Sequence, residues 1–408
     1  MRRKLRLATF FAMLVILAMP AIAQDVIKIG TIFPRSGANA MLGEQAFRGA
    51  DLARRFVNEA GGVKGKQIQF VNADAPTPQA AVTEAERLIS KEGAKVLIGS
   101  LTSGNALSIA SVTERSGAIL WETSGISDDV TNKGFTSVFR TCDAGSLRGQ
   151  SAVMLAYDSI AALLGIPANG LRVAMIYENS SYGTSQYNGA MAEMKRRNMK
   201  FVFANGYLSS GTDQTSLVLQ VKQAKPDVLI HVGYINDVQL IANGLRGYKA
   251  APKVLIGGGA GYTDPQFQVG QQTFANGVIG IDMPSNIDPN LLKNEKDRAI
   301  SKQFRDRYRA EYGESPSLAA EVVFLGSYVL LNNVLPAATD MSVESIKKAA
   351  LSINVPETIN GWAVRFDSAT GQNIGATAVA YQWQEGQKQI VWPSNLKSAD
   401  FKYLPLSW

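Results

Sequence analysis

From Val26 onward, short β-branched runs alternate with amphipathic helical stretches, and they do so in two successive rounds. "VIKIGTIF" reads as a strand. In the stretch after it, "GEQAFRGADLARRFVNEAGG", Phe47, Ala50, Ala53, Arg54 and Val57 fall at three-and-four spacing until Gly61-Gly62 stops the helix. "QIQFVNAD" is the next strand, followed by a helix that opens at Pro78 and closes at Gly93. "AKVLIGS", "GAILWET" and "TSVFRT" complete the first round. The second runs through "LRVAMIYENSSYG", "KFVFANGY", "PDVLIHVGY" and "PKVLIGGG" with helices between them; long helices at Glu295–Tyr312 and Ser317–Leu335 and extended segments "WAVRFDS" and "TAVAYQWQEG" follow. This alternation requires right-handed βαβ crossovers and parallel sheets with helices on both faces. Two rounds predict two similar α/β lobes that divide near Arg140–Gly145.

Residues 1–23 stand outside that pattern. Arg2, Arg3, Lys4 and Arg6 precede an apolar run and then Ala21-Ile22-Ala23, the order of a secretory signal peptide. The apolar run is shorter than the ~20 residues of a membrane span, and no cysteine follows it to carry a lipid. Cleavage near Ala23/Gln24 is expected to leave about 385 residues, enough for two domains, and a periplasmic protein that is not a lipoprotein. Nothing beyond the signal reads as a membrane span. Four of the 41 basic residues lie in the signal, against 34 acidic residues, so the remainder carries a net charge of only +3. That balance argues against a nucleic-acid or anionic-membrane partner. Cys142, the single cysteine, excludes an intrachain disulfide and is expected to pack as a small buried hydrophobe.

The strand ends carry the chemistry. In "VLIGSLTSGNAL" an apolar strand gives way to Thr102, Ser103 and Gly104 where a helix begins. In open parallel sheets, ligands sit outside the carboxyl ends of the strands, where helix N-termini present unpaired N–H groups. The pattern suits an anionic group, carboxylate or phosphate; equally, Thr102 or Ser103 serves as a helix cap. Thr123, Ser124, Gly125 and Ser127 follow another strand, Tyr182 and Tyr234 follow two more, and Gly257-Gly258-Gly259 ends a fifth. Together they line a crevice with hydroxyls, open backbone and phenols.

An enzyme is poorly supported. His231 lies on an apolar strand and reads as a packed residue with one satisfied nitrogen. A single histidine makes no usual metal site, and G-x-S-x-G and G-x-x-x-x-G-K-[ST] are both missing. The pairs Asp128-Asp129 and Glu84/Glu86 read as a loop and a solvated helix face. No catalytic residue, metal or cofactor is expected.

With "KIGTIFPRSGANAMLGEQAFRGADLARRFVNEAGGVKGKQIQF", "VLIGSLTSGNAL", the "NSSYG" loop and "GWAVRFDSATGQ", the chain resembles the periplasmic solute-binding proteins of branched-chain and hydrophobic amino acid ABC importers, over nearly its whole mature length. The resemblance implies a type I periplasmic binding fold: two doubly wound parallel-sheet α/β lobes joined by a three-segment hinge and closing over a ligand. It divides the chain into 24–141 with 284–357, and 142–283 with 358–408. It also implies a small carboxylate-bearing ligand, an inner-membrane ABC permease as partner and a monomer. A sensor of the same fold, serving a chemoreceptor or regulator, has the same sequence signature.

Carried over by position, the resemblance assigns Ser103 to the ligand carboxylate, backbone groups of Ser124 and Gly125 to the head group, and Tyr182 and Tyr234 to closure from the second lobe. The chain departs from the family at Ile126, where a hydroxyl residue is usual and Ser127 is the nearest substitute. It departs again at Gly259, where an acidic residue usually receives the ligand ammonium, and at Leu42, where an aromatic is usual. The triple glycine removes a charge and is expected to open room for a flat group, with Tyr262 as a third stacking ring. These departures favour an aromatic or other organic acid slightly over a branched-chain amino acid, unless Asp128 or Asp129 reaches the cleft.

Overall fold

In the computed structural model, which describes residues 26–209, 211, 213–406 and 408, the two rounds of alternation become two sheets. The first comprises β1 (Ile27–Phe33), β2 (Ile68–Asp74), β3 (Val96–Gly99), β4 (Ile119–Glu122) and β5 (Val138–Arg140), all parallel, in the order β2-β1-β3-β4-β5. The second contains β6 (Val173–Glu178), β7 (Phe203–Tyr207), β8 (Val228–Val232), β9 (Val254–Gly258) and β10 (Ile279–Asp282) in parallel. An antiparallel hairpin, β11 (Val379–Gln384) and β12 (Gln387–Trp392), extends it beyond β10. The signal segment lies outside the described residues.

Local chemistry explains the helix ends. Thr77 accepts the Ala80 N–H at 3.2 Å in front of Pro78, and Gly117 closes the helix Ser103–Ser116 in the left-handed region that glycine favours. The return segment packs on the first sheet's side. Gly49 of the helix Ala40–Glu59 meets the Ala320 backbone, and Phe56 meets Phe324 edge-on at 5.3 Å. Residues Leu318–Ala337 are long and apolar enough to cross a membrane, contrary to the expectation that no such segment follows the signal. They form a core helix instead, 78% buried over the qualifying window.

Several features depart from the alternating pattern. The helix Gly145–Leu155 packs on the helix Ser181–Arg196 through glycines: a Cβ at Gly149 would strike the Gln186 backbone, and one at Gly189 the Ser146 backbone. Strand β10 has only four residues. The expected extended segment "WAVRFDS" makes isolated bridges rather than a strand. Phe366 within it stacks edge-on against Trp121 and Phe139, each at 5.3 Å, and Gln372 bridges to Arg140. The stretch expected beyond the last crossing therefore packs on the first sheet.

Candidate functional site

The carboxyl ends of both sheets face one cleft, with about 740 Å³ of empty space including its open mouth. From the first lobe come Leu42, Leu101, Thr102, Ser103, Ser124 and Ile126; from the second come Tyr182, Tyr234, Thr263 and Asp264, with Arg148 and Asp282 near the crossings.

Thr102 caps the helix Ser103–Ser116, accepting the Asn105 N–H at 3.4 Å, and also lines the cleft. Ser103 is the first helical residue, so its own N–H and that of Gly104 have no carbonyl within the helix to receive them. Its hydroxyl accepts the Ser127 N–H at 3.0 Å, which leaves its proton free to donate. The Ser124 hydroxyl is buried without a protein partner. Hydroxyl donors thus surround the positive end of a helix dipole.

Several sequence assignments need correction. The Ser124 and Gly125 amides do not face the cleft; both donate to Glu122 Oε1, at 2.8 and 2.7 Å. The Gly125 carbonyl is also taken, by Arg140 Nη1 at 3.2 Å. Ser127 is wholly buried and cannot replace a hydroxyl at Ile126, because its own hydroxyl lies 3.3 Å from that of Ser185. Gly257, Gly258 and Gly259 open no room. A Cβ at the first would strike the Tyr262 ring, at the second the Gln186 side chain, and at the third the Tyr182 hydroxyl. Gly259, at φ +86°, therefore backs Tyr182 instead of lining the cleft. Tyr262 is buried beneath the strand ends, its hydroxyl bonded to His231 Nδ1, and is no stacking ring for a ligand. Asp128 binds the Ser146 N–H at 3.1 Å and Asp129 pairs outward with Lys133, so neither reaches the cleft.

Tyr182 and Tyr234 stack at 4.9 Å between ring centroids, and the Tyr182 hydroxyl donates to the Gly258 carbonyl at 3.0 Å. Burial raises the pKa of both phenols. His231 is buried as expected, but both its nitrogens are bonded, Nε2 to Tyr207 at 2.8 Å and Nδ1 to Tyr262; burial pushes its pKa down to about 3. Cys142 is buried and free.

The charged part of the cleft is absent from the sequence pattern. Arg148 holds Asp143 in a two-pronged pair, at 2.8 and 2.9 Å, and reaches Asp282 at 2.6 Å. All three are buried, and despite that burial the two carboxylates raise the pKa of Arg148. Asp282 also accepts from Thr263 Oγ1 at 2.6 Å and from the Met283 N–H at 2.8 Å. Asp264 caps the helix Pro265–Gln271, accepting the Gln266 N–H at 2.8 Å; burial raises its pKa. No group of histidines, cysteines and carboxylates among the described residues could hold a metal ion.

Two α/β lobes with a ligand-sized cleft at facing strand ends define a class of proteins that bind a solute between lobes. The profile of a family described as "Periplasmic binding protein" matches residues 26–388, and the chain belongs to that family. Among curated relatives, the Leu/Ile/Val-binding protein homolog 8 of Brucella suis is 31% identical over 397 residues, 95% of each chain. Among solved structures, LivJ from Streptococcus pneumoniae in complex with isoleucine has a TM-score of 0.73 at 23% identity, covering 90% of this chain and all of that one. A benzoate-bound solute-binding protein from R. palustris has a TM-score of 0.74 at 18% identity, covering 93% of this chain and all of that one. The chain is a periplasmic solute-binding protein of an ABC importer, working with a membrane permease, and not an enzyme.

Proposed function

We propose that the cleft captures a small amino acid with an apolar or aromatic side chain. Its carboxylate sits against Ser103, Thr102 and the Ser124 hydroxyl, and its ammonium against Asp264. Leu42, Leu101, Ile126 and the Tyr182–Tyr234 stack enclose the side chain. The observation that carries this reading is charge. Around the far end, Arg148, Lys388 and Arg305 stand against Asp143, Asp282, Asp264 and Glu321, one carboxylate in excess. A plain organic acid would add a second negative charge to this low-dielectric wall, whereas a zwitterion brings its own cation. The triple glycine favours an organic acid by removing an acidic residue and by opening room, but Asp264 brings a carboxylate to the cleft, and the room is filled by Tyr262, Tyr182 and Gln186. Relatives named for leucine, isoleucine and valine agree with the amino acid reading. We further infer cleavage near Ala23/Gln24, no lipid anchor, and a monomer; intact-mass and light-scattering measurements check these.

Calorimetry with L-leucine against 4-methylpentanoate, and L-phenylalanine against 3-phenylpropionate, tests the ligand. The amino acid of each pair should bind the more tightly, and its affinity should fall as pH drops through the raised pKa of Asp264, because a protonated carboxyl cannot pair with ammonium. Tighter binding of the deaminated acids overturns the reading.

A further inference from the structure

Glu122 ends β4 and is wholly buried. Its Oε1 accepts four backbone N–H groups: Ser100 at 2.8 Å, Thr123 at 3.0 Å, Ser124 at 2.8 Å and Gly125 at 2.7 Å. One acceptor therefore joins two loops, the one that leads into Thr102 and Ser103 and the one that carries Ser124 and Ile126. Successive backbone amides converging on one point form an anion-binding concavity, and here the protein fills it with its own carboxylate. Gly125 keeps the arrangement open, since a Cβ there would press on Ala106 and on the Glu122 carboxyl group. The other oxygen, Oε2, is buried with no partner. The side chain is thus held through its grip on the amides, not through a wider network. The second lobe repeats the device: buried Glu178 ends β6 and accepts the Gly183 N–H at 2.6 Å and the Ser180 N–H at 2.9 Å, on either side of Tyr182.

We propose that Glu122 is the positioning residue of the hydroxyl end: an internal carboxylate that occupies a backbone anion cradle and sets the spacing of Ser103 and Ser124. It rests on the reading of Ser103 and Ser124 as the carboxylate site, and adds that the solute carboxylate is denied the loop amides. An apolar side chain of the same volume would fill the space but leave the Ser100, Ser124 and Gly125 donors unpaired, each at a cost, while the Thr123 N–H keeps its bond to the Gly99 carbonyl at 2.7 Å. A residue needed only for packing would leave no anion site behind when it is removed.

The test is chemical rescue. Glu122→Ala empties the cradle, so formate should raise the melting temperature of this variant and leave wild type and Glu122→Gln unmoved. Formamide, the neutral isostere, should do nothing. Whichever of L-leucine, L-phenylalanine and benzoate stabilises wild type should bind Glu122→Ala roughly tenfold more weakly or worse, with formate restoring part of the loss. A formate-insensitive melt overturns the proposal, as does unchanged solute affinity in Glu122→Ala. If Glu122→Ala does not fold, Glu122→Gln decides by amide NMR: the Ser100, Ser124 and Gly125 protons should shift together, and unmoved resonances overturn the proposal. The formate and NMR measurements need no solute, so wild type failing to respond to any of the three solutes counts against the proposed ligand class and not against the cradle.

Discussion

The two sides of the cleft are built by opposite means. On the first lobe the polar lining is uncharged: Thr102, Ser103 and Ser124 add hydroxyls to the end of a helix dipole. The other side brings charges in pairs, with Arg148 between Asp143 and Asp282 and Asp264 beside them, under a stack of two tyrosines. Hydroxyls lose little when the cleft stands open to water. Buried charges need partners before any solute arrives, and these have one another. The charged side is therefore organised by the protein itself, and the hydroxyl side completes its hydrogen bonds with the solute.

If that contrast is right, the largest damage comes from breaking the charged side. Arg148→Met leaves Asp143 and Asp282 buried without their cation, and removing one member of a buried ion pair costs about 3–5 kcal/mol. Urea unfolding without ligand should register the loss. Adding Asp282→Asn to Arg148→Met should recover part of it, because the surviving carboxylate no longer faces a second one. An Arg148→Met variant as stable as wild type would break the comparison.

Acid should likewise reach the second lobe first. His231 has a folded pKa of about 3, below the ~6.5 of an unfolded histidine. Between those values the unfolded chain binds a proton that the folded one refuses. Stability therefore falls as pH drops from about 6.5 toward 3. His231→Gln gives up the hydrogen bonds to Tyr207 and Tyr262 and should lower stability at neutral pH, yet flatten the slope across that window. An unaltered slope would remove His231 from the account.

How much of this was legible in the sequence follows the same division. Thr102, Ser103, Ser124, Tyr182 and Tyr234 each follow an apolar run that reads plainly as a strand, so topology alone sends them to the cleft. Arg148 sits among Gly145, Ser146 and Gly149, residues of low helix propensity, in a helix set by close packing against Gly189 and the Gln186 backbone. Asp282 ends a four-residue strand that pairs on one side with β9, the strand before it, and on the other with β11, which comes from a distant part of the chain. Asp264 was hidden by its own surroundings, since Thr-Asp-Pro reads as a turn. The glycines misled for a related reason. A glycine reports that something lies close, and only the fold reveals whether that is a ligand or Tyr262.

The smallest expected effect belongs to the hydroxyl side. Ser103→Ala should weaken solute binding by about 1.5–3 kcal/mol, the range for a hydrogen bond to a charged group, which is at least tenfold in affinity. Thr102, not Ser103, accepts the capping bond, so the helix keeps its cap. The variant nonetheless takes the acceptor from the buried Ser127 N–H, and apo stability should drop by about 1–3 kcal/mol. Calorimetry and unfolding in the absence of solute separate the two losses. Stability lost with affinity intact would make Ser103 a tie between the two loops and nothing more. The solute carboxylate would then rest on Ser124 and the helix N-terminus, and the hydroxyl side would be as fully organised in advance as the charged one.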